Sequence, residues 1–165
     1  MSNKNPGGVQ LNTKPMSTYT QIIYQIVFAT KYRSKVLVDA RKRHLLYKYI
    51  WGTLRKNKCV VYEINGVEDH IHIATHIHPM VSLSSLVKDM KVSSSLWIKQ
   101  KGLFPGFIGW TVGYGAFTYT IKEKEALTGY IRNQERHHMI KTYPEEYEEL
   151  LLKHQVKFKE KYLFD

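Results

Sequence analysis

The chain has 165 residues, 43% of them hydrophobic and 24% charged, the balance of one globular domain rather than of a disordered chain. No run of about 18 apolar residues occurs, which excludes a membrane-spanning helix from the sequence. Lys and Arg number 25 against 14 Asp and Glu, and a net charge of +11 attracts polyanions, nucleic acid first among them.

Residues 1–16, MSNKNPGGVQLNTKPM, lack the apolar centre of a secretory signal and are expected to be a flexible polar tail, with a single domain over 17–165. The lone cysteine, Cys59, rules out an internal disulfide and fits a reducing compartment, the cytoplasm. Residues 18–30, TYTQIIYQIVFAT, are β-branched and aromatic and predict a first strand. Most of the basic excess follows: residues 31–58 hold ten Lys or Arg against Asp39 alone. Within them Leu45, Leu46, Tyr49, Ile50 and Leu54 recur at three and four, predicting an amphipathic helix over 39–57 with Asp39 as N-cap.

CVVYEI (59–64) predicts a second strand, Asn65-Gly66 a short turn, and DHIHIATHIH (69–78) its hairpin partner. Leu83, Leu86, Val87, Met90 and Trp97 then mark one face of a second helix, with Lys88, Lys91 and Lys99 largely off it. A loop with Pro105 and four glycines leads to a fourth strand at 114–121, YGAFTYTI. A third helix is predicted over 122–140, a short acidic helix from Pro144 to about His154, and a basic aromatic tail after it. The order βαββαβ with a helical extension predicts an α+β, ferredoxin-like sandwich: an antiparallel sheet, its first and third strands central, with helices on one face.

On the third strand alternate residues share a face, so His70, His72, His76 and His78 point one way and Ile71, Ile73 and Ile77 the other, into the core. Same-face neighbours stand roughly 6.6 Å apart, close enough for His70 and His72 to grip one ion, whereas His76 lies roughly 13 Å beyond His72. Histidine-triad hydrolases would need a histidine where Ala74 stands, and a two-histidine phosphoesterase would need a second H-x-T/S motif, which is missing. Catalysis by a bound metal needs a further ligand and a reacting group. The third helix has both on one face: Tyr130, with Gln134 four residues on and His138 a further turn along. A tyrosine beside a metal-held phosphate can act as a covalent nucleophile.

In order, IVFATKYRSKVL, DHIHI, VKDMK, YGAFTYT and YIRNQERHH resemble the small HUH transposases that use one catalytic tyrosine, enzymes of bacterial and archaeal insertion sequences that move as single-stranded DNA. The resemblance spans roughly residues 18–152. It implies that His70 and His72 ligate Mg²⁺ or Mn²⁺, that Tyr130 is the nucleophile, and that Gln134 is the third ligand. Imidazole chemistry alone favours His138 for that last position, and His138 is kept beside Gln134. The resemblance further implies a transposase, a single-stranded DNA nickase and strand transferase. Tyrosine attack would leave a 5′-phosphotyrosine and a free 3′-hydroxyl. The enzyme would be a homodimer that recognises hairpins near the element's ends, in some members with the tyrosine helix serving the partner's site. Gly129, just before Tyr130, would ease that repositioning.

Lys31, Tyr32 and Arg33 after the first strand are candidates for phosphate contact and base stacking. Lys88 and Lys91 lie on the helix where family members contact DNA. A departure from the family pattern is the extra pair His76 and His78. Two other readings stand beside this one: a ferredoxin-like nucleic-acid-binding protein without catalysis, and a domesticated relative that cleaves hairpins without mobilising itself.

Overall fold

A computed structural model describes residues 18–159 and Leu163; the predicted 1–16 tail and most of the last basic segment lie outside the described residues. Strands β1 (Ile23–Ala29), β2 (Val60–Gly66), β3 (His70–His76) and β4 (Gly115–Tyr119) form one antiparallel sheet in the order β2-β3-β1-β4, with β1 and β3 central as predicted. Helices α1 (Ala40–Lys56) and α2 (Leu83–Lys101) complete the βαββαβ order. Asp39 caps α1 by accepting from the Arg41 and Lys42 amides. Ser82 caps α2, and Gly102 closes it in the left-handed conformation (φ 58°).

Period-two alternation in the central strands builds two separate cores. Ile26, Phe28, Ile71 and Ile73 point to one face and pack with Leu46, Ile50, Leu86, Met90 and Ile98 of α1 and α2. Ile23, Val27, Ala29 and Ala74 point to the other face, where they meet α3 (Lys124–Arg132) and α5 (Tyr143–Lys153). The sheet is therefore covered on both faces. The two helices of the βαββαβ unit lie on one, as predicted, and the C-terminal helices seal the histidine-bearing face.

Two local expectations are corrected. Asn65-Gly66 does not turn the chain: both residues stay in the ladder opposite His72 and Ile71, and the chain reverses over 67–69. A Cβ on Gly66 would lie 2.2 Å from the His70 carbonyl oxygen and 2.8 Å from Ile71 Cα, so glycine is required by a close backbone approach. Asn65 uses its side-chain amide to donate to the Arg132 carbonyl at the end of α3, 2.9 Å away. The predicted 122–140 helix is also interrupted. A 3₁₀ turn precedes α3, Asn133 leaves helical geometry (φ −95°, ψ 20°), and a four-residue helix α4 (Gln134–His137) follows. Asn133 turns its side chain back onto the Gly129 carbonyl, the competition with helix bonding expected of asparagine.

Gly66→Ala is expected to destabilise the fold by about 2 kcal/mol or more through backbone overlap. Gly52→Ala, on α1 where a Cβ meets nothing within 4 Å, should stabilise it by up to about 1 kcal/mol. Urea midpoints of the two variants, read against the parent chain, check both signs.

Candidate active site

The site lies on the C-terminal-helix face of β3. His70 and His72 are completely buried, with ring centroids 5.1 Å apart, and stand opposite Ala29 and Val27 of β1, small enough to leave the imidazoles room. The Asp69 carboxylate, at 2.6 Å, accepts from His70 Nδ1, which aims Nε2 inward. His72 Nδ1 lies 3.0 Å from the Gln25 amide nitrogen, and Tyr119 in turn donates to Gln25 Oε1 at 2.6 Å. Gln25 is buried, so this chain of hydrogen bonds fixes the ring without solvent.

The two histidines converge on a residue that the sequence reading missed. Glu146, on α5, is 1% exposed. Its Oε2 lies 3.3 Å from His70 Nε2, 3.3 Å from His72 Nε2 and 2.8 Å from His138 Nε2. Its Oε1 accepts hydrogen bonds from the Tyr130 hydroxyl and, at 2.9 Å, from Gln134 Nε2. Tyr130, Gln134 and His138 thus meet at one carboxylate even though the helix between them is broken. The position of Glu146 was open to detection: Tyr143, Glu146, Tyr147, Leu150 and Leu151 follow the helical period, which puts an acid on an otherwise apolar stripe. Thr142 and Glu145 form a capping box that sets where α5 begins.

Burial and the groups gathered around Glu146 set the charges. Burial alone would raise the Glu146 carboxyl, but the imidazoles of His72, His138 and His70 outweigh it and hold the group well below the carboxylate range. Burial drives His72 down to about 4, with attraction to Glu146 opposing only in part. For His70 burial also acts downward, yet the hydrogen bond of Asp69 and the negative charges of Asp69 and Glu146 win and raise it. Burial and the adjacent Glu146 charge push the Tyr130 hydroxyl above the ordinary tyrosine range.

The other predicted residues divide. His76 is bound to the chain before β1, at Ile22 and Thr20, and the His78 ring accepts from the Met80 amide, so neither joins the site. His137 faces the Tyr130 ring at 5.1 Å with its Nε2 3.6 Å from Glu146 Oε1. Tyr32 and Arg33 line a cleft of about 1140 Å³ that reaches Asp69 and His138, together with Lys35, Arg132, Arg136 and Lys141. Tyr32 is 73% exposed on a backbone of φ 59° and Arg33 has φ 52°, a strained turn that presents both side chains. Lys31, Lys88 and Lys91 line a different groove, beside Trp110 and Tyr114. Lys91 already donates to the Val112 and Gly113 carbonyls, and burial lowers its ammonium to about 8.

The family model described as "Transposase IS200 like" matches residues 18–134. No curated protein matches the chain at a significant level. Among solved structures, a proposed transposase of Deinococcus radiodurans R1 is similar at a TM-score of 0.56 and 22% identity, over 73% of this chain and 96% of that one. A REP-associated tyrosine transposase bound to a REP hairpin is similar at a TM-score of 0.52 and 15% identity, over 74% of each chain. Both likenesses establish the fold. Among the described residues no helix is long and apolar enough to cross a membrane.

His72 is neutral when buried and takes up a proton once unfolded, so below its ordinary value of 6.5 the unfolded chain binds more protons than the native one. Its contribution is present above pH 6.5 and is lost as pH falls toward 4. Native-state melting should drop across that window, and His72→Gln should show a shallower drop in a differential scanning measurement.

Proposed function

The chain belongs to the IS200-like transposase family, and from that premise we propose that it cuts and rejoins single-stranded DNA at insertion-sequence ends through a 5′-phosphotyrosine on Tyr130. One observation carries this reading: Tyr130, Gln134, His70, His72 and His138 all end on the single buried carboxylate of Glu146. A pure binding module has no use for a tyrosine hydroxyl buried against a carboxylate and two oriented imidazoles.

His70 and His72 hold a divalent ion, Mg²⁺ or Mn²⁺ as the resemblance implies. That some divalent ion binds here is supported by His70 Nε2, buried without an aligned hydrogen-bond partner and backed by Asp69. Gln134, whose buried side-chain oxygen also lacks a partner, is the third ligand. When bound, the ion supplies positive charge beside the phosphate that reacts. Glu146 Oε1 orients the Tyr130 hydroxyl by accepting its hydrogen bond, and the phenolic proton lost as the new P–O bond forms is balanced by the one the departing oxygen gains. The P–O3′ bond breaks, and the departing oxygen gains a proton to become the 3′-hydroxyl. One phosphodiester is exchanged for another, so no nucleoside triphosphate is consumed and a second strand's 3′-hydroxyl can reverse the step.

The strand enters along the basic cleft, where Tyr32 offers a stacking face and Arg33, Arg132 and Arg136 meet phosphates. Lys31, Lys88 and Lys91 serve DNA lying on the separate groove. The working species is a homodimer on hairpin-ended DNA, each chain forming one domain from residue 17 onward. Within one chain Tyr130 already faces its own His72, ring centroids 6.0 Å apart. Gly129 needs no room for packing, since a Cβ there would meet nothing within 4 Å. It is a flexible point for moving the tyrosine helix between sites.

A labelled single-stranded hairpin incubated with the protein and Mn²⁺ should become covalently attached, seen as a shifted band on a denaturing gel. Tyr130→Phe should lower adduct formation by at least about 10³-fold, and EDTA should suppress it. An adduct formed by Tyr130→Phe would end this reading in favour of another nucleophile, and no adduct at all would favour the binding module. A domesticated hairpin-cleaving relative would form the adduct too, and its gene would lack matched hairpin ends.

Arg136→Gln should flatten the log–log salt dependence of single-strand binding by about 0.7, the share of one phosphate contact. Fluorescence anisotropy across a salt series measures that slope.

A further inference from the structure

We propose that α5 completes the metal centre, so that His70, His72, His138 and Glu146 form a three-imidazole, one-carboxylate site that selects a transition-metal ion of the Zn²⁺ and Co²⁺ class over Mg²⁺. This inference rests on the reading of a metal-dependent site at His70 and His72 and changes its donor set.

The four donors lie close enough together to converge on one ion. Their ligand atoms all lie within 4.8 Å of one another, and Glu146 Oε2 stands 3.3, 3.3 and 2.8 Å from the three Nε2 atoms. Donors about 2.1 Å from a tetrahedral ion stand about 3.4 Å apart along each edge, which these separations approach. His70 Nε2 is completely buried, has no aligned hydrogen bond, and is aimed at the centre by Asp69 on the ring's far nitrogen. Tyr143, one residue past the capping threonine of α5, stacks on the His70 ring at 4.3 Å and fixes its plane.

A half-turn of the Gln25 amide makes His72 Nδ1 the donor and leaves its Nε2 lone pair for the ion. Tyr119 can serve that amide in either orientation, because a phenol both donates and accepts. Gln134 is then a positioning residue, since its amide nitrogen donates to Glu146 Oε1 and points the other carboxylate oxygen at the imidazoles.

The donor chemistry decides the ion. Imidazole nitrogens suit Zn²⁺, Co²⁺ and their neighbours, whereas Mg²⁺ requires oxygen ligands in an octahedron and retains several waters. Two buried imidazole nitrogens, a third from the half-buried His138 and one carboxylate oxygen leave Mg²⁺ poorly served. Glu146 and His138 both lie beyond residues 18–134, the segment that carries the family match.

The test is titration of the metal-free full-length protein with Co²⁺, followed by the intense visible absorption of a four-coordinate cobalt centre. The parent chain should show that band, one equivalent of Zn²⁺ should remove it, and about 100-fold excess Mg²⁺ should leave it. His138→Ala and Glu146→Gln should each weaken Co²⁺ binding by about 10- to 100-fold, and Gln134→Ala should change it only a few-fold. Circular dichroism without metal checks that each variant is folded; if Glu146→Gln is not, His138→Ala at the edge of the site carries the decision. The proposal is overturned if Gln134→Ala abolishes the band while His138→Ala and Glu146→Gln bind like the parent, or if Mg²⁺ displaces Co²⁺ as readily as Zn²⁺ does. Because this readout needs no DNA, a parent chain that binds Co²⁺ but forms no Tyr130 adduct refutes the strand-transfer reading and leaves the metal site standing.

Discussion

A carboxylate that is 1% exposed must be compensated, and in this chain the compensation of Glu146 organises everything on one face of the sheet. Taking such a group out of water costs several kcal/mol even after relaxation. Five side chains from three parts of the chain meet that cost: His70 and His72 from β3, Tyr130 and Gln134 from the third helical stretch, and His138 after it. Removing any one leaves a buried charge less satisfied, so the arrangement holds α5 down alongside the apolar contacts of Tyr143, Leu150 and Leu151. Stability of this face and alignment of the site are one property.

The same carboxylate separates the two tasks of the site by atom. Oε2 lies with the imidazoles, while Oε1 lies with the tyrosine hydroxyl and the glutamine amide. An ionised Glu146 and a neutral Tyr130 are the ground state, since the imidazoles hold the acid down and burial holds the phenol up. Under the proposed mechanism, positive charge placed among the imidazoles would lower the cost of moving the phenolic proton.

Much of this was legible in the sequence, because periodicity is a local property. HIHIATH alternates at two, so opposite faces for the histidines and isoleucines follow from strand geometry alone, and the structure places Ile71 and Ile73 in one core and His70 and His72 in the other half. What the sequence hid depends on distant partners. Asn65-Gly66 has the composition of a turn, yet its glycine answers the backbone of His70 and its asparagine answers a helix end at Arg132. Likewise the spacing of Tyr130, Gln134 and His138 suggested a continuous helix. Their convergence survives the break at Asn133 because Glu146 supplies a common target from another helix. An acid on an apolar stripe was visible at position 146, but nothing local says that its counterparts are imidazoles some 70 residues upstream.

The charge of the chain takes its meaning from this arrangement. A net +11 is by itself only an attraction for polyanions. Here Arg132, Arg136 and Lys141 come from the same stretch that carries Gln134 and His138, and they line the cleft that opens beside the site with Tyr32 and Arg33. Arg43 ties that wall to the body of the fold, its guanidinium donating to the Leu37 carbonyl and to Glu135. The basic wall and Tyr130 are therefore mounted on one short segment, anchored at Asn65, Arg43 and Glu146. Tyr130 itself lines a smaller neighbouring pocket with Tyr119, Leu127 and Glu146, and the contact of His138 with Glu146 is what joins that pocket to the basic wall.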